Sequence, residues 1–166
     1  MATVAEIIKE NITESGVTTY TEKEITFLAN EIGKTKKNSS DVKVMLVHEI
    51  VLEIVSGFDA AGVQDADTMY VQFTTNSEDA EVTLEDKDLF WKFKWKRDFI
   101  TGGHLNDNQV IISKKFDPPR PYFKPRLWVA CESSGNAAAM DVDFELVHTY
   151  GYVSKEVYNR VIARKM

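Results

Sequence analysis

Residues 117–153 read DPPRPYFKPRLWVACESSGNAAAMDVDFELVHTYGYV, and the fold class turns on how this stretch alternates. After Met140, Val142, Phe144, Leu146, His148 and Tyr150 interleave with Asp141, Asp143, Glu145, Val147 and Thr149. A period of two over that length marks a strand with one buried face. Upstream, Arg126 to Glu132 forms a second strand, and Ser133, Ser134, Gly135 and Asn136 supply the turn between them. All four prolines, Pro118, Pro119, Pro121 and Pro125, fall in the approach to that strand. Proline cannot donate to a ladder, so this approach is an extended edge or crossing connection.

Working outward, 166 residues with 43% hydrophobic content fit one globular domain with a sizeable core. No apolar run is long enough to span a bilayer, and Glu6, Lys9, Glu10 and Glu14 occupy the place of a secretory core, so the expectation is a soluble, unprocessed chain. The lone Cys131 rules out an internal disulfide and suits a reducing compartment. A net charge of -6 argues against a surface given over to nucleic acid. The charge is segregated: acids dominate from Asp59 to Asp88, whereas Lys92 to Arg97 reads KFKWKR. Such separation suggests complementary surfaces, for instance between copies of the chain, against the commoner alternative of scattered solvated charge.

Along the chain, Val4, Ile7, Ile8 and Ile12 fall at helical spacing, with Thr3 and Glu6 as a capping box, which predicts a short amphipathic N-terminal helix ended by Gly16. Two β-prone runs follow, Val17 to Thr21 and Glu24 to Ala29, and Lys34 to Asp41 is a polar loop. The β-branched content of Val42 to Val55 favours a strand or a bent strand pair over a helix. Further strands are expected at Met69 to Thr74, Ala80 to Leu84, Leu89 to Phe99 and Gln109 to Ser113, and Ser154 caps a last helix bearing Val157, Val161 and Ile162. Strands at this spacing without crossover helices predict an all-β antiparallel sandwich of jelly-roll type, with short peripheral helices at both termini. Residues 1–15 are read as a helical arm and residues 16–166 as the single jelly-roll domain.

The residues that might carry chemistry form no set. His48, His104 and His148 belong to no ligand or catalytic motif, although His48 and His148 could meet in a sheet. Ser133 and Ser134 lack the flanking glycines of a nucleophile elbow, and Gly102 and Gly103 are too few to cradle phosphate. Asp59, Asp65 and Asp67 partly suit a hard cation but lack the ordered pattern of a calcium loop. No catalytic residue, cofactor or metal is therefore assigned. In Trp91 to Lys96, aromatics alternate strictly with lysines. Such a strand either stacks on bases or sugars, or fills the core with its aromatics while its lysines stay wet.

The run LWVACES, the Ser-Gly-Asn turn and the alternating MDVDFELVHTYGYV resemble the C-terminal strands of single jelly-roll capsid proteins of tailless icosahedral viruses. The earlier order is similar too: KVMLVHEIVLEIV, an Asp/Ala/Gly loop, then MYVQFT. The resemblance implies a viral structural protein, not an enzyme, that self-assembles into an icosahedral shell and is found in the virion after assembly in the host cytoplasm. Implied contact residues are Ile7 and Ile8 on the arm and Pro118, Pro119, Tyr122 and Phe123 near the proline segment. Implied partners are further copies and other capsid proteins, with an internal membrane or minor structural proteins beside them. Such proteins often neutralise a genome with a basic N-terminal arm, whereas the first forty residues here are rich in glutamate, so direct nucleic-acid binding is not expected. The alternative is a carbohydrate- or ligand-binding β-sandwich module whose aromatic platform is Trp91, Trp95 and Trp128.

Overall fold

The computed structural model of the protein describes residues 5–16, 19–26, 32–57, 67–97, 109–134 and 138–164. Eight strands appear in chain order: β1 (Glu6–Thr13), β2 (Thr21–Thr26), β3 (Val42–Gly57), β4 (Asp67–Thr74), β5 (Leu89–Arg97), β6 (Gln109–Tyr122), β7 (Arg126–Ser134) and β8 (Ala138–Val153). One helix, α1 (Lys155–Arg164), follows them.

The strands pair as one long hairpin folded on itself. β1 pairs with β8, β2 with β7, β3 with β6 and β4 with β5, all antiparallel. Two further seams, β3 with β8 and β4 with β7, join these ribbons into two four-stranded sheets ordered β1-β8-β3-β6 and β2-β7-β4-β5. This nested connectivity is a jelly roll.

The core lies between the sheets and follows the alternation of β8. Met140, Val142, Phe144 and Leu146 are buried against Leu52, Ile54, Met69, Phe73, Leu127 and Val129 of the other strands. Full burial of such side chains contributes about 1.5 to 3 kcal/mol each. The Phe144 ring meets Phe73 edge-on at 5.5 Å across the sandwich. His48 is the extra residue of a bulge in β3, seen in its register with both neighbours. The proline-rich segment forms the far half of β6, an edge strand whose register with β3 skips from Lys115 to Arg120, and its Asp117–Pro118 peptide is cis. At the C-terminus the Val157 N–H donates to Ser154 Oγ at 3.3 Å, so Ser154 caps α1.

Two expectations are corrected. The described part of the N-terminal segment is not a helix: Glu6–Thr13 lies in unbroken antiparallel register with His148 to Asp141, while Thr3 and Val4 of the expected helix lie outside the described residues. An isolated helix of this length is marginal, whereas a full strand pairing buries Ile12 and half-buries Ile8. Ala80–Leu84 is not a strand either. Together with the residues around it, this segment forms a flap over the outer face of β4 and β5, with Val82 buried and Leu84 83% exposed.

Candidate functional site

Sequence reasoning missed the flap, the most elaborate polar assembly of the described residues. Gln72 of β4 points away from the core yet is fully buried. Its Nε2 donates to the Ala80 carbonyl at 3.1 Å and its Oε1 accepts from the Val82 N–H at 3.0 Å. One side chain thus replaces a strand partner for the flap. Lys92 donates to the Val82 carbonyl at 2.7 Å and pairs with Glu81 at 2.5 Å; Lys94 reaches the same carboxylate at 2.9 Å. Burial pushes the Glu81 carboxyl up, but the two lysines outweigh it and hold the group below the usual carboxylate range. At the other edge, Glu22 accepts from Ser77 at 2.6 Å and from the Glu78 N–H at 3.0 Å. The acidic and basic runs of the sequence therefore meet, in part, inside one copy.

Beneath the flap, Tyr70 donates to Glu132 at 2.7 Å, and burial with this carboxylate raises its phenol far above the ordinary value. Ligand atoms of Glu78, Asp86 and Asp88 lie within 4.8 Å of one another. Asp88 is held by the Thr75 hydroxyl at 2.6 Å and by Lys124 at 3.9 Å, so its role is to fasten the flap's base. Burial first, then Asp86 and Asp88, raise the Glu78 carboxyl.

A second assembly ties the sheets together. The carboxylate of Glu14, just past β1, is buried and accepts from the Ser133 N–H at 2.5 Å, the Ser133 hydroxyl at 2.7 Å and the Met140 N–H at 2.6 Å. Ser133 belongs to one sheet and Met140 to the other, so one side chain joins both. Beside it, burial pushes the Cys131 thiol up to about 12, with Glu14 adding to the effect. Such a thiol is a core group, not a nucleophile.

Among the described residues, His48 and His148 form no catalytic pair. His48 Nε2 lies 2.8 Å from Thr149 Oγ1, while His148 is buried on the opposite face of β8 with Glu6 at 3.7 Å and Tyr150 edge-on at 5.3 Å. Desolvation lowers the His148 pKa. His104, Asp59 and Asp65 lie outside the described residues, and of Asp67 only the backbone is described.

Trp91 and Trp95 pack from β5 onto the core, whereas Trp128 lies on the opposite face of its sheet, between buried Leu127 and Val129. The three do not form one platform, because alternation along each strand sends them to different sides. Tyr122 and Phe123 are also core: Tyr122 stacks edge-on against Phe90 at 5.3 Å and donates to the Arg126 carbonyl, while Phe123 meets Tyr158 of α1 at 5.9 Å. Burial removes both from the set of exposed contact residues. Ile7 is 53% exposed on edge strand β1, Ile8 is half-buried beside it, and Pro118 and Pro119 lie on edge strand β6.

By sequence, the chain matches no family model and no curated protein. By structure, it is similar to VP1 of Trichodysplasia spinulosa-associated polyomavirus in complex with GM1 oligosaccharide, with a TM-score of 0.53 and 7% identity over 91% of this chain and 96% of that one. Weaker likenesses are to Desmodium yellow mottle tymovirus (TM-score 0.38, 7% identity, 93% and 91% covered) and to the same VP1 with 3'-sialyllactose (TM-score 0.35, 10% identity, 89% and 94% covered). The first likeness extends over nearly the whole of both chains, and the shared property is the fold, a jelly roll.

Proposed function

We propose that this chain is a viral structural protein that self-assembles into an icosahedral shell. The observation that carries the reading is the nested eight-strand jelly roll, whose likeness to a polyomavirus VP1 covers 91% of the chain. The distribution of polar chemistry supports it. The buried carboxylate Glu14, the buried amide Gln72 and the Glu81 pairings all fasten the sandwich. Ile7, Ile111 and Pro118 lie on the sheet edges β1 and β6, where neighbouring copies would add contact. In this reading the partners are further copies and other capsid proteins, together with an internal membrane or minor structural proteins. The chain resides in the virion and assembles in the host cytoplasm. Acidic β1, with Glu6 and Glu10, is no genome-binding arm.

The carbohydrate-binding alternative loses its platform, since Trp91 and Trp95 are committed to the core. Light scattering with negative-stain microscopy of the purified protein tests the proposal. Closed particles or discrete rings of capsomer size are expected; a monomer of 18.9 kDa at every concentration and ionic strength would overturn it.

A further inference from the structure

The segment read from sequence as a polar loop is a stiff hairpin. Lys43 N–H donates to the Lys34 carbonyl at 2.8 Å, Gly33 N–H to Lys43 at 2.9 Å and Lys36 N–H to Asp41 at 2.9 Å, and Thr35 bridges Val42. Asn38 turns the tip with a φ of 64°, which asparagine tolerates. The hairpin presents Lys34, Lys36 and Lys37, all exposed, and Lys36 lies 5.6 Å over the ring of Tyr152, itself 50% exposed. Its backbone is set before any partner arrives, so little ordering cost attaches to docking it.

The outer face of the β1-β8-β3-β6 sheet has the opposite character. In register across it run Thr13 and Asp141, then Asn11, Asp143 and Glu53, then Lys9, Glu145 and Val51. Asp143 and Glu53 stand directly opposite each other, an arrangement that like charges disfavour. Asp141, Asp143, Glu145 and Glu53 share these rows with Lys9, which pairs with Glu145, while Asn11 donates to Asp141 and Asp143 at 2.9 Å each and Lys23 lines the same hollow. Ile7, 53% exposed, and Ile111, 66% exposed, flank the acids on the same face. Acids framed by exposed isoleucine match lysines beside an exposed tyrosine.

One copy cannot bring the two together. The hairpin ends at Val42, and Glu53 is eleven residues further along β3, about 36 Å at the rise of a strand. Because the two patches differ, joining them between copies is head to tail, a contact that forms a ring where the rotation between copies closes and a filament where it does not. We propose that the basic hairpin of one copy docks on the acidic outer face of β1, β8 and β3 of a neighbouring copy. The contact rests on the shell reading and names one interface between neighbouring copies.

The test uses the full chain in three forms: K36E/K37E, E53K/D143K, and the chain carrying all four changes. Lys36, Lys37 and Asp143 are exposed and Glu53 is half-buried, and circular dichroism checks that each variant is folded. Sedimentation velocity is run at about 0.1 M and about 1 M salt, where the screening length falls from about 10 Å to about 3 Å. Either pair alone should weaken self-association at least about tenfold at the lower salt. An equimolar mixture of the two pairs, and the four-change chain, should recover it. A pair that associates like the unaltered chain, or a four-change chain no better than the pairs, would overturn the contact while assembly itself stands. An unaltered chain that stays monomeric would remove the shell reading and this contact together.

Discussion

Replacing Glu14 with alanine is the sharpest probe of how the sandwich is held. The carboxylate accepts two backbone N–H groups, from Ser133 and Met140, and the Ser133 hydroxyl, all in a site only 4% exposed. The hydroxyl can turn to another acceptor, but the two N–H groups cannot. A buried donor left unsatisfied costs about 1 to 3 kcal/mol, so the two together cost roughly 2 to 6 kcal/mol before relaxation. The backbone bond from Glu14 N–H to the Met140 carbonyl at 2.9 Å survives, because it needs no side chain. The expected loss is therefore about 3 to 5 kcal/mol, a large share of a typical domain's stability. Urea unfolding followed by fluorescence gives the number, with an unchanged slope showing that the same surface is exposed. Glu14→Gln keeps the volume and one acceptor, so it should cost about half as much. A loss below about 1 kcal/mol for Glu14→Ala would refute the bridge between the sheets, because no buried N–H would then have depended on it.

Gln72→Ala should release the flap while leaving the sheet intact, seen as hydrogen exchange at the Val82 amide faster by at least about tenfold; unchanged exchange would mean the backbone alone holds the flap. Trp91→Ala should cost about 2 to 4 kcal/mol, since the ring packs on Phe73 at 5.7 Å, and loss of glycan binding without loss of stability would revive the platform. His148 carries a lowered pKa, so the unfolded chain binds a proton that the folded chain resists. Its contribution is complete above the unfolded value of about 6.5 and fades as the pH drops below it. His148→Gln should flatten the stability profile as the pH falls below about 6.5. The Cys131 thiol, pushed up to about 12, should resist alkylation at neutral pH until the protein unfolds, and rapid labelling of the native state would contradict its placement.

Much of the fold was legible because local pattern and tertiary demand agree. In β8 every second residue from Met140 to Leu146 is buried, as the alternation of the sequence requires. The prolines excluded a central strand, and β6 is an edge. Ser154 marked the last helix through its own hydroxyl. The N-terminal strand was misread because its inward positions are Glu6, Ile8, Glu10, Ile12 and Glu14, where acids break the apolar period that a strand would show. Ile7, Ile8 and Ile12 then fit a helix equally well. The flap was misread for the reverse reason: Val82 and Leu84 alternate with polar neighbours, yet Leu84 faces water.

What the sequence determined by itself is the all-β class, the edge position of the proline segment and the commitment of β8 to the core. These follow from period, proline chemistry and composition, which act over a few residues. What only the tertiary structure decided is which polar groups meet across long separations: Glu14 with Ser133 and Met140, Gln72 with the flap, Glu81 with Lys92, and the opposed Asp143 and Glu53. The physical reason is that a buried polar group is tolerated only where partners converge on it. That convergence depends on strand order and register, which no local pattern of residues encodes.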